Sequence, residues 1–500
     1  MNAPCKLILN RPMSWLSAVL AILILAGCAA VGPDYVPPDT PVSATWHTGL
    51  KGGLSAGEAD SKTLSAWWTT LGDPELSSLI DRAVSGNLDL KKARSRVREA
   101  RARRGIAEAS LFPTLDATGS ANWTYASTRS NAKNSSSSNN SASISSSAST
   151  GSQGLYAASF DAGWELDIFG GVRRSVEAAT GGFQASEEDL RNVLVSLLAE
   201  VASNYVQVRT YQALLAVAEA NLEAQAETYQ LTQWRYEAGL SDELAVQQAR
   251  YNLENTRSLI PALRTGLEEA MNRIAVLLGE QPGKVHAELE KREPIPVTPL
   301  KVAVGVPADL LRRRPDVRQA ERQLAAQTAR IGVATADLYP KFTLNGSIGL
   351  EALSLSNLSS RGLTVTGGPQ ITWSIFKGGA IRQNIEVQSA LQEQALIQYE
   401  ATILGALEEV ENALVAYAEV QQRRQSLSEA TQAAQKAVEL AQHKYQAGLT
   451  DFNNVLDAQR SLLSLQEQLT QSEGTVTSNL IRLYKALGGG WTSMAPDEKN

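Results

Sequence analysis

The chain has 500 residues, with 46 Lys and Arg against 52 Asp and Glu and a formal net charge of −6. That balance excludes the basic surplus a nucleic-acid-binding surface needs. Two cysteines exclude a disulfide framework, and no Walker A loop, HExxH motif, paired Cys ligands or Met- or His-rich tract is present to suggest a nucleotide or metal site.

Lys6 and Arg11 precede an apolar run from Trp15 to Ala26 that ends in Leu25-Ala26-Gly27-Cys28. A charged start, a short apolar stretch and a small-residue cleavage site predict a signal peptide over 1–27. The run is too short to span a bilayer. Leu-Ala-Gly-Cys resembles the bacterial lipobox, which makes Cys28 the first mature residue and the carrier of a covalent diacylglycerol and acyl lipid. Buried acyl carbons contribute about 0.8 kcal/mol each, so several chains anchor firmly. Cleavage removes Lys6 and Arg11 and no acid, so the charge moves from −6 to −8. Ala29 is not the Asp that, by resemblance to sorted lipoproteins, retains a chain at the inner membrane, which favours the outer membrane.

Residues 28–66 form a lipid-anchored extended segment and linker, Pro-rich from Val31 to Pro41 and Gly/Ser-rich from Lys51 to Lys62. Gly53 to Gly57 matches G-x-S-x-G but lacks a preceding strand and a following helix, and His47, His286 and His443 are the only histidines. It is read as a chance match.

From Trp67 the chain repeats. Asp89 to Ala109 with Leu111-Phe112-Pro113 aligns with Asp316 to Ala336 with Leu338-Tyr339-Pro340 at an offset of 227. From Trp164/Trp373 to Gly279/Gly488 the offset is 209. Residues 67–279 are therefore repeat 1 and 309–488 repeat 2, with a connector at 280–308 and a tail at 489–500. The offsets differ because repeat 1 carries the polar Ser127 to Ser152 segment, which buries nothing.

Period-2 alternation predicts strands at 113–125, 155–168, 341–352 and 363–376, each with one apolar and one polar face. Each is long enough to cross a bilayer at a tilt, and the pattern is that of a transmembrane β-barrel rather than a soluble sheet with one wet face. Trp123, Tyr125, Tyr156, Trp164 and Trp373 are the candidate membrane-interface aromatics. Four strands cannot close a barrel, which takes about eight, and an open edge in lipid leaves backbone groups unpaired. The protein is therefore expected to share one barrel among several copies.

Two proline-free stretches, 172–238 and 380–447, show three-four apolar spacing. A 67-residue helix at ~1.5 Å per residue is about 100 Å long. Gly239 and Gly448 suit helix C′ positions. Ser241 or Asp242, and Thr450 or Asp451, can then cap return helices ending near 278 and 487. Pro261 is expected to kink or end the first return helix. Arg312-Arg313-Arg314 is read as a solvated or phosphate-facing run.

Several motifs now combine: Leu25-Ala-Gly-Cys28, Val31-Gly-Pro-Asp-Tyr35, Trp67-Trp68, Gly72-Asp-Pro-Glu-Leu76, Trp164-Glu-Leu-Asp-Ile-Phe-Gly170, Leu310-Leu-Arg-Arg-Arg-Pro-Asp316 and Tyr484-Lys-Ala-Leu-Gly-Gly-Gly-Trp491. In combination they resemble TolC-like outer-membrane efflux lipoproteins of the NodT type. The resemblance implies a mixed α and membrane-β fold. A homotrimer shares a 12-stranded β-barrel, four strands per protomer, continued by a long periplasmic α-helical barrel. It implies a passive exit duct for drugs or other small molecules, not an enzyme, working with a periplasmic adaptor and an inner-membrane pump of the RND type. The adaptor-contacting tips carry over to Gly239, Leu240, Ser241 and Asp242, and to Gly448, Leu449, Thr450 and Asp451. Asp457 matches an aperture aspartate, with Asn454 where some members have a second Asp and Gln248 at its repeat-1 position. A type I protein-secretion duct and a non-conducting lipid-anchored periplasmic scaffold are the alternatives.

Overall fold

The computed structural model describes residues 30–39, 42–57, 61–126, 151–296, 302–308, 313–359 and 362–491. The expected signal peptide, Cys28 and nearly all of the Ser127–Ser152 segment lie outside them. In chain order the elements are β1 (Leu54–Ser55), α1 (Ser61–Ser65), α2 (Pro74–Gly86), α3 (Leu88–Ala109), β2 (Thr114–Ala126), β3 (Gly151–Leu166) and α4 (Gly171–Glu237). There follow α5 (Glu243–Leu278), α6 (His286–Leu289), β4 (Val302–Ala303), α7 (Pro315–Ala336), β5 (Lys341–Ala352), β6 (Leu363–Thr372), α8 (Ala380–Gln446) and α9 (Phe452–Ala486). The chain divides into two units, one of residues 1–36, 102–180 and 325–393, the other of 37–101, 181–324 and 394–500.

The first unit holds an antiparallel sheet in the order β2-β3-β5-β6. Its register puts Leu115 opposite Ala162, Phe160 opposite Ile348, and Ile348 opposite Val365. Apolar side chains therefore share one face across all four strands. β3 starts at Gly151, before the expected 155, because Gly151–Gly154 pairs with Trp123–Ala126. The Ser/Gly composition of that stretch hid the strand. β6 stops at Thr372, short of the expected 376, because Thr372 pairs with Lys341 and the next partner would be Pro340, which has no N–H to give.

Among its described residues the second unit has no strands besides β1 and β4, which pair in parallel. Its core includes Trp67, stacked on Tyr484 at 5.4 Å and meeting Trp68 edge-on at 6.0 Å. Asp73 caps α2 by accepting from Glu75 N at 2.9 Å and Leu76 N at 3.1 Å, which explains the Gly72–Leu76 motif. Asp73 also accepts from the Tyr205 hydroxyl at 2.6 Å. Arg209, fully buried, bonds Glu75, Gln212, the Lys291 carbonyl and Tyr205. Burial pushes the Glu75 carboxyl up, and the Arg209 guanidinium beside it pulls the other way.

Helices α4 and α8 are each 67 residues, and α5 and α9 are 36 and 35. Of the two outcomes expected at Pro261, ending the helix does not occur, because the residue lies inside α5. Its ring sits at an exposed position, and a buried stripe of Leu253, Ile260, Ala270 and Ile274 outweighs the one missing N–H bond. In the arginine run Arg312 lies outside the described residues, and Arg314 differs from expectation. Arg314 is buried, donating to Ala486 O at 2.9 Å and pairing with Glu409 at 2.7 Å and Asp316 at 2.6 Å. It ties off the C-terminus of α9 instead of facing solvent.

Candidate functional site

The sheet has two chemically distinct faces. The apolar face exposes Leu115, Trp123, Phe160, Leu344, Ile348, Val365 and Ile371, with Val365 68 % exposed. So large a contiguous apolar patch calls for an apolar solvent. On the opposite face Asp116 stands across from Asp161, Asp161 from Ser347, and Ser347 from Thr366. Asp161 accepts from Thr118 Oγ1 at 2.7 Å and Ser159 Oγ at 3.0 Å, and Asn345 donates to Gln370 Oε1 at 2.9 Å. Within the described residues β2 and β6 each have one strand partner, so both sheet edges are open.

The candidate interface aromatics fall into two groups. Trp123 and Tyr125 are exposed, and Trp123 meets Tyr156 edge-on at 5.8 Å. At the other end of the strands, Trp164 Nε1 donates to Leu111 O at 2.9 Å and Trp373 Nε1 to Leu338 O at 3.0 Å. Each indole thus satisfies a carbonyl just past the end of α3 or α7, while its ring stays partly exposed.

The glycines at Gly170-Gly171 mark the strand-to-helix joint in the sequence, but the polar contacts that fasten it were missed. Asp167 accepts from Val172 N at 3.0 Å and Arg173 N at 2.8 Å, so it caps α4. Arg174, 6 % exposed at its side chain, donates to Val31 O at 3.1 Å, Gly32 O at 3.3 Å, Asp34 at 2.6 Å and Glu177 at 2.7 Å. Val31 N donates to Phe169 O at 3.0 Å. A Cβ on Gly32 would collide with the backbone of Gly332, so this docking needs glycine on both sides. Residues Val31 to Asp34 are thereby held at the start of α4.

The glycine turns and the first cap follow expectation, but the expected cap on α9 from Thr450 or Asp451 is not made. Gly239 (φ 72°) donates to Tyr236 O, and Leu240 N to Arg235 O at 2.8 Å. Gly448 (φ 71°) and Leu449 repeat this on Tyr445 and Lys444. Asp242 caps α5 through Ala245 N at 2.9 Å, whereas the Asp451 side chain makes no cap bond to α9. Leu240 and Leu449 are 68 % and 77 % exposed, and Ser241 and Thr450 are half-buried. Directly behind, Ala245, Ala249, Tyr445, Phe452, Val455 and Leu456 form one apolar cluster, so the two hairpins are packed together at their ends.

Asp457 is exposed, with Arg460 Nη1 3.9 Å from its Oδ1. Arg460 Nε also donates to buried Asn252 at 3.1 Å, and its guanidinium lies 5.3 Å from the Tyr251 ring centroid. Asn454 donates to Thr450 Oγ1 at 2.6 Å. Gln248 is half-buried, and within the described residues no hydrogen bond joins it to Asp457. Arg460, which couples α9 to α5, is the functional candidate the sequence reading missed. Its only local signal is the three-residue spacing from Asp457.

A sheet with one lipid-compatible face, in one chain with very long helices, defines a class, that of β-type membrane proteins with a helical extension. The chain belongs to the outer membrane efflux protein family, which matches residues 79–280 and 306–489. It is 33% identical over 478 residues to Nodulation protein T of Rhizobium leguminosarum bv. trifolii, covering 95% of this chain and 97% of that one. It is 34% identical over 484 residues to the toluene efflux pump outer membrane protein TtgI of Pseudomonas putida, covering 95% and 98%. The solved structure of the outer-membrane channel OprN superposes with a TM-score of 0.83 at 36% identity, covering 92% of this chain and 99% of that one. The protein is an outer-membrane efflux channel.

Proposed function

We propose that three copies share one 12-stranded barrel, and that the duct so formed releases drugs or other small organic compounds passively to the exterior. The observation that carries this reading is the sheet itself. Its two open edges would leave backbone groups unpaired in lipid at several kcal/mol each, and joining edges between copies removes that cost. Three copies of four strands give twelve. Energy would come from an inner-membrane pump of the RND type, reached through a periplasmic adaptor that grips the exposed tips around Leu240 and Leu449. The cargo class follows the toluene named for the P. putida relative. Cys28 would carry the diacylglycerol and acyl groups. Asp457, partly balanced by Arg460, would contribute one acidic ring at the periplasmic aperture.

The test is single-channel recording of the purified full-length protein in planar bilayers, with heat-modifiable migration in SDS as the assembly readout. Conductance from an SDS-resistant trimer is expected. A non-conducting monomer would support the scaffold alternative and overturn the duct.

A further inference from the structure

The buried stripe of α5 changes character and then changes back. At three-four spacing it reads Ala245, Ala249, Asn252, Thr256, Ile260 and Leu263. The first two belong to the apolar cluster behind the turns. The last two belong to a second cluster, built on Leu215, Ala218 and Ile260. Two polar residues stand between them, where a helix seam in lateral contact would carry apolar ones.

The neighbouring helices add polar residues at the same level. Gln225 of α4 is 14 residues before Gly239, and Thr256 is 14 after Asp242. At ~1.5 Å per residue both stand about 21 Å from the turn. α9 joins them: Gln459 Nε2 donates to Thr228 Oγ1 at 2.9 Å, one helical turn from Gln225, and Arg460 Nε donates to Asn252 Oδ1 at 3.1 Å.

Those bonds use only half of the Gln459 and Asn252 amides. Among the described residues Gln225 Nε2 and Oε1, Asn252 Nδ2, Thr256 Oγ1 and Gln459 Oε1 have no hydrogen-bond partner. None of the four residues is more than 4 % exposed. Two amide nitrogens, two amide oxygens and a hydroxyl are thus enclosed in one layer. Polar atoms buried so deeply are costly unless bonded, and a mixture of donors and acceptors is what water satisfies. At ~3 bonds per buried water, five such atoms call for about two waters. The layer is peculiar to the first hairpin. The repeat offset of 209 puts Ala434 at the position of Gln225 and Leu465 at that of Thr256.

Farther from the turn the helices are in close contact. A Cβ on Gly266 of α5 would collide with the Tyr211 ring, and one on Gly474 of α9 with the Thr210 side chain. So α4 is clamped between α5 and α9 on one side of the layer, while the apolar cluster locks the helix ends together on the other.

We infer that Gln225, Asn252, Thr256 and Gln459 enclose ordered water, and that this wet layer is a hinge across which the helix ends yield as one block. A water can trade one amide for the next as helices shift, whereas interlocked apolar side chains resist displacement. The hinge lies within one chain and does not depend on how many copies assemble.

Hydrogen exchange of the purified full-length protein, read on peptides by mass spectrometry, tests it. Protection should dip at 252–256 and recover at 245–249, nearer the turn. Plain fraying would instead give exchange that rises steadily toward the turn. The double variant Gln225→Met, Thr256→Val replaces two polar side chains by apolar ones of nearly the same shape and leaves one free donor and one free acceptor. It should slow exchange at 252–256 about tenfold. Thr256→Val alone should slow it less, and serves if the double variant misfolds. A crystal structure of the full-length protein should show about two waters bonded to these amides. Steadily rising exchange, or variants that leave the rate at 252–256 unchanged or faster, would overturn the hinge and leave a polar layer that only fixes helix register. A dry layer in the crystal would overturn the water site itself.

Discussion

Replacing Arg174 with alanine should release residues Val31 to Asp34 from the start of α4. Its four bonds are unequal. Asp34 is 86 % exposed and Glu177 44 % exposed, so those two ion pairs contribute about 0–1 kcal/mol each. The bonds to Val31 O and Gly32 O come from a nearly buried cation, and charge-assisted bonds of this kind contribute at least ~1.5 kcal/mol each. Together the carbonyl bonds hold the segment by about 3 kcal/mol, or roughly a hundredfold in its opening equilibrium. The reporter is the Val31 amide, which donates to Phe169 O. Its hydrogen exchange should accelerate about a hundredfold in Arg174→Ala, while amides in the middle of α5 keep their protection. Arg174→Gln, the residue repeat 2 carries at Gln383, should behave nearly the same, because a neutral amide cannot replace the charged fork. Glu177→Gln should change exchange less than tenfold. Unchanged Val31 exchange in an assembled Arg174→Ala protein would refute the docking role.

Gly448→Val places a β-branched residue in the left-handed region, costing about 1–2 kcal/mol at the turn. Adaptor co-purification should fall while the SDS-resistant trimer persists; a lost trimer would show that the turn is not local in its effect. Cys28→Ser should reduce recovery in the outer-membrane fraction more than it alters conductance, and normal fractionation would show that the barrel alone suffices. Glu411 accepts from His47 N at 2.7 Å and Thr48 N at 3.1 Å. Burial raises its pKa, but these bonds outweigh it and leave the carboxyl below its usual range. A lowered folded-state pKa stabilises above the unfolded value near 4.5 and is lost as pH falls through the folded value. Proteolytic accessibility of residues 42–48 should therefore rise below about pH 4.5 in the wild type. In Glu411→Gln it should already be raised at neutral pH and change little on acidification.

The long helices were legible because nothing interrupts their pattern: Gly171–Glu237 and Ala380–Gln446 lie where the three-four spacing placed them. The sheet faces were legible for the same reason wherever large apolar residues alternate, but not at Gly151–Gly154, where the Ser/Gly composition carries no alternation. What escaped is what no local period encodes. Arg460 and Asn252 are 208 residues apart, and Arg174 and Asp34 are 140 apart. Such polar links are made by tertiary proximity and leave no trace in either neighbourhood. Arg314 was misjudged for a related reason. An arginine run reads as solvated until the carbonyl and carboxylates that enclose it are seen. The tip turns were partly legible, because glycine with φ near 70° is a local demand, but the choice of Asp242 over Ser241 as cap was not.

The polar face of the sheet has a bearing on traffic. Thr118 and Ser159 bond each other at 2.8 Å, both serve Asp161, and Asn345 is engaged with Gln370. Donors already satisfied by neighbours offer a passing solute little reason to linger, because any new bond must displace an existing one. In the proposed duct such a wall would offer uncharged polar solutes few free donors, while Asp116 and Asp161 keep it acidic. Residence of such solutes would then be set by width and diffusion, and the channel could clear chemically unrelated uncharged cargo at similar speed without recognising any of it.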